Sequence, residues 1–435
     1  MTCSKSEQRG WYFYDWANSA FYTTVVTLFL GPYLTALAKA GADAEGRIFP
    51  LGLSIDARAY WGYLVALSVA GQVLVLPVIG ALADYTGRKR MLLAAFAYPG
   101  ALATMAMFFL RGQAYLLGGA LFLFANVVFG ASIVVYNSFL PDISSAADRD
   151  AISSRGWGIG YLGGGILLGL NLLLYQNAQA LHLDEGTAVR ISLGSAGVWW
   201  AVFTIIPLRA LRDRPSRLTA RPGRTLLSAG FRQLFHTLRE LRKFPQTLRF
   251  LIAYLLYNDA IQTVIALASQ FGNDELKIPL STLTLVILMV QFVAFFGALA
   301  FGYIARWTGA RNAVLLSLAI WTGVILNMYL SVKTTAQFFA MGAVVGLVLG
   351  GSQALSRSLF SLMIPKGREA EYFSLYEIGD KGTSWFCPLL FGLALQFTGS
   401  YRVAILSLLI FFAAGIAVLS RVDVKAGERD AGNAD

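Results

Sequence analysis

Three groups of polar side chains interrupt long apolar stretches of this chain, and each has the spacing of one helix face. Asp15, Asn18, Ser19 and Tyr22 fall at i, i+3, i+4 and i+7, a single stripe on a helix. Asn258, Asp259 and Gln262 form a second group, with Thr263 beside them, and Glu377, Asp380 and Lys381 a third. Arg357 lies near the end of the apolar stretch before the third group. An ionised residue at the centre of a lipid-crossing helix costs about 2.5–3.5 kcal/mol on insertion scales, so one that persists is expected to face a cavity or a partner. Asp259, about 15 Å along its stretch at 1.5 Å per residue, is a candidate for binding a solute or carrying a proton. A hydrogen-bonded structural carboxylate is the competing reading. Asp15 is only about 6 Å from the start of its stretch by the same rise, so a gating or capping role competes with solute contact. Glu377 precedes Lys381 in the i to i+4 order that favours an ion pair, which leaves Asp380 over. Proton coupling, a structural ion-pair network, and contact with an anion or carboxylate through Arg357 or Lys381 all fit that third group.

Composition sets the elements that must hold these residues. Of 435 residues, 57% are apolar and 14% charged, and the mean hydropathy is +0.60, outside the range of a soluble globular chain. Stretches of roughly 20 apolar residues, each long enough to cross a hydrocarbon core about 30 Å thick, recur through the sequence. They place spans at 11–36, 59–82, 91–110, 114–137, 156–177, 191–210, 248–271, 281–305, 312–331, 335–361, 371–397 and 400–421. The tight joints at Arg111 and Lys333 are read as breaks between helices, with one long helix as the alternative at each. Twenty-six of the 35 cations fall in the even-numbered connections and the two tails, against eight on the other face. That asymmetry predicts a multi-pass inner-membrane protein with both termini in the cytoplasm. The net charge of +11 is then a topology signal and an affinity for anionic headgroups, and no nucleic-acid partner is expected. Eleven cations and three prolines crowd residues 209–249, which read as a basic linker with a surface helix around 225–243. The expected division is a six-helix bundle at 1–210, a linker at 211–247, and a second bundle with its tail at 248–435.

Internal repetition supports two halves. The order carboxylate, carboxamide, hydroxyl at Asp15, Asn18 and Ser19 returns at Asp259, Gln262 and Thr263, 244 residues later. Gly80, Ala83, Thr86 and Gly87, which follow the second span, return as Gly302, Ala305, Thr308 and Gly309 after the eighth. Parallel six-span repeats about an axis along the membrane normal occur in known transporters, with the solute site between the halves near mid-membrane. The run from Gly80 to Arg90, with Asp84, Gly87 and Arg88, resembles the loop signature of the major facilitator superfamily, although Tyr85 stands where a basic residue is usual. Physically, Gly80 lets helices approach, and Asp84 is placed to meet a helix N-terminus or a neighbouring cation and latch the cytoplasmic side; a plain turn with topogenic cations is the alternative. The resemblance implies twelve transmembrane helices in two pseudo-symmetric bundles, an all-α polytopic fold of the major facilitator type. Tyr14 to Phe21, Tyr136-Asn-Ser-Phe-Leu-Pro-Asp142, the run from Ser153 to Gly165, and Gly351 to Phe360 with Pro365 and Glu371 are similar to the vacuole-effluxer-like family and its bacterial relatives. The yeast member is associated with amino-acid efflux from the vacuole, so the resemblance implies efflux of amino acids or related solutes.

Other classes find little support. Cys3 and Cys387 cannot pair across a span, and His182 and His236 add too few ligands for a metal framework. No P-loop lysine pattern and no HExxH occurs, and Gly158-Ile-Gly160 onward imitates GxGxxG inside a span with no strand before it. We therefore expect no enzyme activity and no cofactor. The expected partners are a small-molecule solute, the lipid bilayer, and protons as a candidate coupling ion. Export of amphipathic drugs, or a non-transporting receptor or scaffold on the same fold, are the alternatives. Two glycine strips, Gly156, Gly160 and Gly164, and Gly342, Gly346 and Gly350, each offer a smooth surface for close helix packing.

Overall fold

A computed structural model of the chain describes residues 4–216, 237, 239–382, 386–398 and 400–433. Its first helix, α1 (Lys5–Ala40), is continuous but not uniform, because Phe21–Phe29 is wound as a π-helix. Five β-branched residues in a row, Thr23 to Thr27, crowd an α-helical backbone, and the Thr27 hydroxyl donates to the Tyr22 carbonyl at 3.0 Å, one residue beyond the α-helical reach. Such turns are rare and concentrate at functional sites. The remaining helices of the first set are α2 (Tyr60–Thr86), α3 (Lys89–Phe109), α4 (Tyr115–Asn137), α5 (Arg149–Gln176) and α6 (Glu185–Ala210). A second set follows: α7 (Pro245–Asp274), α8 (Leu280–Thr308), α9 (Ala310–Leu330), α10 (Thr335–Leu362), α11 (Glu369–Gly382), α12 (Phe386–Thr398), α13 (Tyr401–Leu419) and α14 (Val424–Asp430).

Local chemistry fixes the joints. The break at Arg111 is real, with Gly112 at φ +60° between α3 and α4. At Lys333, Thr334 and Gln337 form a reciprocal capping box that starts α10, satisfying two of the amides a helix start leaves free. Asp184 caps α6 through the Thr187 amide at 2.8 Å. Ten helices among the described residues are long and apolar enough to cross a membrane. The expected seventh and eleventh spans are not among those ten, and both stretches include residues or side chains outside those described; α7 carries Asn258, Asp259 and Gln262, and α11 carries Glu369, Glu371, Glu377 and Asp380. The surface helix expected around 225–243 lies mostly outside the described residues. Helix α1 begins six residues earlier than hydropathy placed it, so Asp15 sits ten residues, or about 15 Å, along its helix, rather than near its start.

Two apolar clusters fill the fold, one from α1 to α6 and one from α7 to α13. Because successive spans reverse direction, the N-terminal turn, the α2–α3 and α10–α11 turns and α14 share one face, called here the terminal face. Between the sets, α2 packs on α11, and α5 packs on both α8 and α10. The glycine strips are buried in helix contacts. Gly156, Gly160 and Gly164 face α1 at Trp11, Asp15, Ser19 and Thr23, while Gly342, Gly346 and Gly350 face α8 between Val286 and Ala298.

Candidate functional site

Arg357 is the centre of the charged cluster between the two helix sets. It is 2% exposed and reaches from α10 into the first set. Its Nη1 donates to Asp15 Oδ2 at 3.1 Å and to Asn137 Oδ1 at 3.3 Å. Nε and Nη2 donate to the hydroxyl and carbonyl oxygens of Ser153, each at 3.0 Å. Three rings enclose the guanidinium, with centroids at 4.7 Å for Trp11, 5.3 Å for Trp157 and 5.6 Å for Tyr136. The Tyr136 hydroxyl adds a 2.7 Å bond to the same Asp15 oxygen, and the Asn137 amide passes the network to Glu377 at 3.0 Å. A planar cation with five donors suits this mixture of carboxylate, amide and ring faces, whereas lysine would not. Gly156 makes the room: a methyl group there would lie 2.6 Å from the Trp11 ring and 3.1 Å from Arg357 Nη2.

A second network stays within the second set. Asp380 accepts from the Tyr254 hydroxyl at 3.0 Å and the Asn258 amide at 2.5 Å, and Asn258 in turn accepts from Gln353 at 2.9 Å. Asp259 takes no part in it, because adjacent helical residues point about 100° apart. Its Oδ2 accepts the amide of Cys387, in the first turn of α12, at 3.1 Å. Its Oδ1 is buried and has no hydrogen-bond partner among the described residues. The sequence grouped Asn258 with Asp259; the structure points them at different helices. Gln262 is half-buried. The side chain of Lys381 lies outside the described residues, and Glu377, expected to pair with it, takes its described bond from Asn137.

The α1 stripe faces inward for most of its length. Asp15 and Asn18 are buried, Ser19 lies against Gly160 and Gly164, and Tyr22 is 47% exposed at the start of the π-helix. Asp380 and Tyr161 lie within electrostatic reach of the Tyr22 hydroxyl. Further along α1, away from the terminal face, Thr27, Gly31, Thr35 and Lys39 join Trp61 of α2 around a cavity of about 500 Å³.

The terminal face is closed by a second set of contacts. Asp84 accepts the amides of Ala370 and Glu371 at 3.0 and 2.8 Å, placing a carboxylate at the start of α11, where free N–H groups and the helix dipole favour negative charge. Of the two partners the sequence offered for Asp84, the helix start takes the hydrogen bonds, and a neighbouring cation, Lys89, lies within electrostatic reach. Gly80 permits the contact, since a methyl group there would sit 2.6 Å from the Ala370 carbonyl oxygen. Gly87 ends α2 at φ +62° against Arg214 and Ser216, and the Ser216 hydroxyl donates to the Asp84 carbonyl at 2.6 Å. Arg88 is exposed. Its neighbour Lys89, which the sequence reading passed over, is the buried cation, bonded to Asp142 Oδ2 and the Ser138 carbonyl at 2.9 Å each, with Glu369 Oε2 at 3.8 Å. Arg149 of α5 donates to the Ser361 carbonyl of α10 at 2.8 Å. At the far end of the linker, Arg368 joins Glu371 at 2.7 Å and also binds Glu240. Burial works against that guanidinium, but the two carboxylates outweigh it and hold its pKa above the ordinary arginine value. Tyr136, Asn137, Ser153 and Lys89 are thus the residues that the polar stripes alone did not identify. The signal was present in the stretches from Tyr136 to Asp142 and from Ser153, which had been marked only for resemblance.

Two inward-facing helix sets, joined at one face and bearing charged residues between them, match known structures over nearly their full length. The human organic anion transporter MFSD10 superposes with a TM-score of 0.71 at 14% identity, covering 95% of this chain and 99% of that one. The fold is that of a major facilitator superfamily transporter, a multi-pass membrane protein. Among sequence relatives, an uncharacterized MFS-type transporter of Bacillus subtilis, YxiO, is 30% identical over 421 residues, covering 96% of this chain and 94% of that protein. Autophagy-related protein 22-1 of Penicillium rubens is 27% identical over 545 residues, covering 98% and 91%. Residues 3–432 match the family described as "Vacuole effluxer Atg22 like", and the chain belongs to that family.

Proposed function

We propose that the chain is a secondary transporter that exports a small polar solute, amino acids or related metabolites, by alternating access. Both termini are placed in the cytoplasm of a cell whose inner membrane it crosses. The carrying observation is the Arg357 cluster: one buried cation of the second half is held by Asp15, Asn137 and Ser153 of the first. Such a cluster exists only while the halves meet at that face. Separation there takes a guanidinium away from its carboxylate and leaves both to be rehydrated or paired anew, so the exchange is suited to coupling with a polar solute or an ion. The exposed Tyr22 gives the opposite side a polar approach.

Asp259 is assigned to the coupling step, as a proton carrier. A buried carboxylate with one oxygen held by the Cys387 amide and the other without a hydrogen-bond partner among the described residues is placed so that adding or removing one proton changes its fit to α12. Flux of labelled amino acids into proteoliposomes under an imposed pH gradient tests both statements. Asp259→Asn keeps an oxygen for the Cys387 amide but cannot titrate, so it is expected to abolish flux and leave folding intact. Wild-type flux in that variant would remove Asp259 from the mechanism and leave it a structural acceptor. Ligand binding without flux in the unaltered protein would favour a receptor instead.

A further inference from the structure

The connection between α1 and α2, on the side away from the terminal face, is a hairpin with an apolar tip. Asp43 turns the chain into it, accepting the amides of Glu45 and Arg47 at 3.1 and 2.7 Å. Strands β1 (Arg47–Ile48) and β2 (Ile55–Asp56) then pair antiparallel, with Arg47 opposite Asp56 and Ile48 opposite Ile55. The base is anchored, since Ile48 and Ala57 are buried in the apolar cluster of the first helix set. Arg47 Nη1 closes the neck by donating to Ser54 Oγ at 2.9 Å, and Arg58 Nη2 meets Asp56 Oδ2 at 2.6 Å. Beyond the neck lies Phe49-Pro-Leu-Gly-Leu53, a short turn in which the Leu53 amide donates to the Pro50 carbonyl at 3.0 Å. Its three large side chains are turned away from the protein: Phe49 is 51%, Leu53 67% and Leu51 99% exposed. Leu51 also stands at φ +53°, a left-handed backbone that a bulky residue rarely takes and that concentrates at functional positions.

A fixed frame that holds apolar side chains out into water is unfavourable, and such a patch marks a surface that something else covers. The bilayer is at hand. Only residues 57–59 separate β2 from the start of α2 at Tyr60, and the exposed apolar surface of that lipid-crossing helix begins within its first turn, at Tyr63, and continues through Leu67 and Leu74. We propose that residues 49–53 insert into the leaflet on that side, so that the partner of this surface is lipid. Phe49, Leu51 and Leu53 then enter the acyl boundary, while Arg47, Ser54 and the Asp56–Arg58 pair stay at headgroup level. Interfacial segments bury apolar side chains and keep polar groups wet in the same way. The hairpin thereby pins the joint of α1 and α2 to the bilayer surface, at the other end of α2 from Asp84 and its contact with α11. This needs only a chain that crosses a bilayer, and it stands or falls separately from the export reading.

An environment-sensitive nitrobenzoxadiazole label is attached at Leu51→Cys or, before the hairpin, at the exposed Glu45→Cys, in full-length protein. Cys3 is replaced by serine, and Cys387 is buried. Each labelled protein is reconstituted into liposomes carrying a nitroxide on the acyl chain just below the headgroups, and separately into plain liposomes with iodide on both sides. The label at 51 is expected to be quenched about threefold more by the nitroxide lipid, and about threefold less by iodide, than the label at 45. Phe49→Ser together with Leu53→Ser, which leaves the buried base untouched, should bring the label at 51 close to the values at 45. Iodide quenching at 51 as strong as at 45, with no added quenching by the nitroxide lipid, would leave the tip in water and refute the proposal. Protection from iodide without nitroxide quenching would put protein over the tip, from a second copy or from elsewhere in this chain, and would refute it too. Unchanged nitroxide quenching in the double variant would assign the insertion to the fluorophore and overturn the role of the tip.

Discussion

The α2–α3 and α8–α9 turns carry the same pattern of glycine, alanine and threonine, yet only one of them is a charged latch. Gly80 and Gly302 do equivalent work, each admitting a helix of the other half, α11 in the first case and α5 in the second. Four residues on, the two diverge. Asp84 is buried and takes two amides of α11, whereas the equivalent position is Arg306, which is exposed. Asp15 and Asp259 repeat the lesson. Each opens the same carboxylate, carboxamide, hydroxyl order, but Asp15 meets a guanidinium and a phenol from other helices, and Asp259 meets a backbone amide. The repeat keeps the close packing and changes the charges, so closure of the terminal face is chemically one-sided.

The largest expected effect comes from Arg357→Ala. It strands Asp15 inside the protein, with Tyr136 as its remaining described partner, and loss of one member of a buried pair costs about 3–5 kcal/mol. The melting temperature of purified protein should fall sharply, and Asp15→Asn in the same chain should recover part of the loss, because the two substitutions share one interaction. A double variant as unstable as the sum of the singles would show that the pair does not act as a pair. Next in size is the comparison of the glycines. Gly80→Ala drives a methyl group against backbone atoms of Ala370 and Glu371, at 2.6 and 2.9 Å, while Gly302→Ala meets the Ser154 side chain at 2.5 Å. The Ser154 hydroxyl can rotate aside, but the Ser154 Cβ, 2.6 Å from the added methyl group, is fixed to the α5 backbone. Both substitutions should therefore cost about 1–3 kcal/mol, and a loss of melting temperature confined to Gly80→Ala would show that the two glycines do not do equivalent work.

The sequence shows the repeat and the inward-facing stripes because both are local or periodic. A carboxylate in a lipid-crossing helix is conspicuous by cost alone, and a 244-residue recurrence needs no knowledge of packing. What meets those carboxylates is another matter. Arg357 is 342 residues from Asp15 and 204 from Ser153, and the spacing along one helix does not say which neighbour it faces. Near misses have the same origin: Lys89 rather than Arg88, and Asn258 apart from Asp259, are differences of one residue, which is about 100° of rotation. The early start of α1 escaped because hydropathy marks where lipid begins, while the helix continues through the polar residues before Trp11. The two helix sets were legible in the repeat, but the linker's anchoring through Ser216 to Asp84 and through Glu240 to Arg368 was not, since both bonds depend on turns brought together only by the fold.

The finest test of one-sided closure pairs Asp84 with Arg306. Asp84→Ala removes the acceptor of two amides at the start of α11, a loss of about 0.5–2 kcal/mol by analogy with helix caps. Asp84→Asn retains an oxygen for one amide but gives up the charge facing the helix dipole, worth about 0.3–1 kcal/mol, so it should fall between Asp84→Ala and the parent. Arg306→Ala removes an exposed cation and should move stability by no more than about 0.5 kcal/mol. The ordering of the three melting temperatures carries the argument. If Arg306→Ala proves as damaging as Asp84→Ala, the α8–α9 turn is a latch as well, and the two turns differ in sign of charge without differing in what they do.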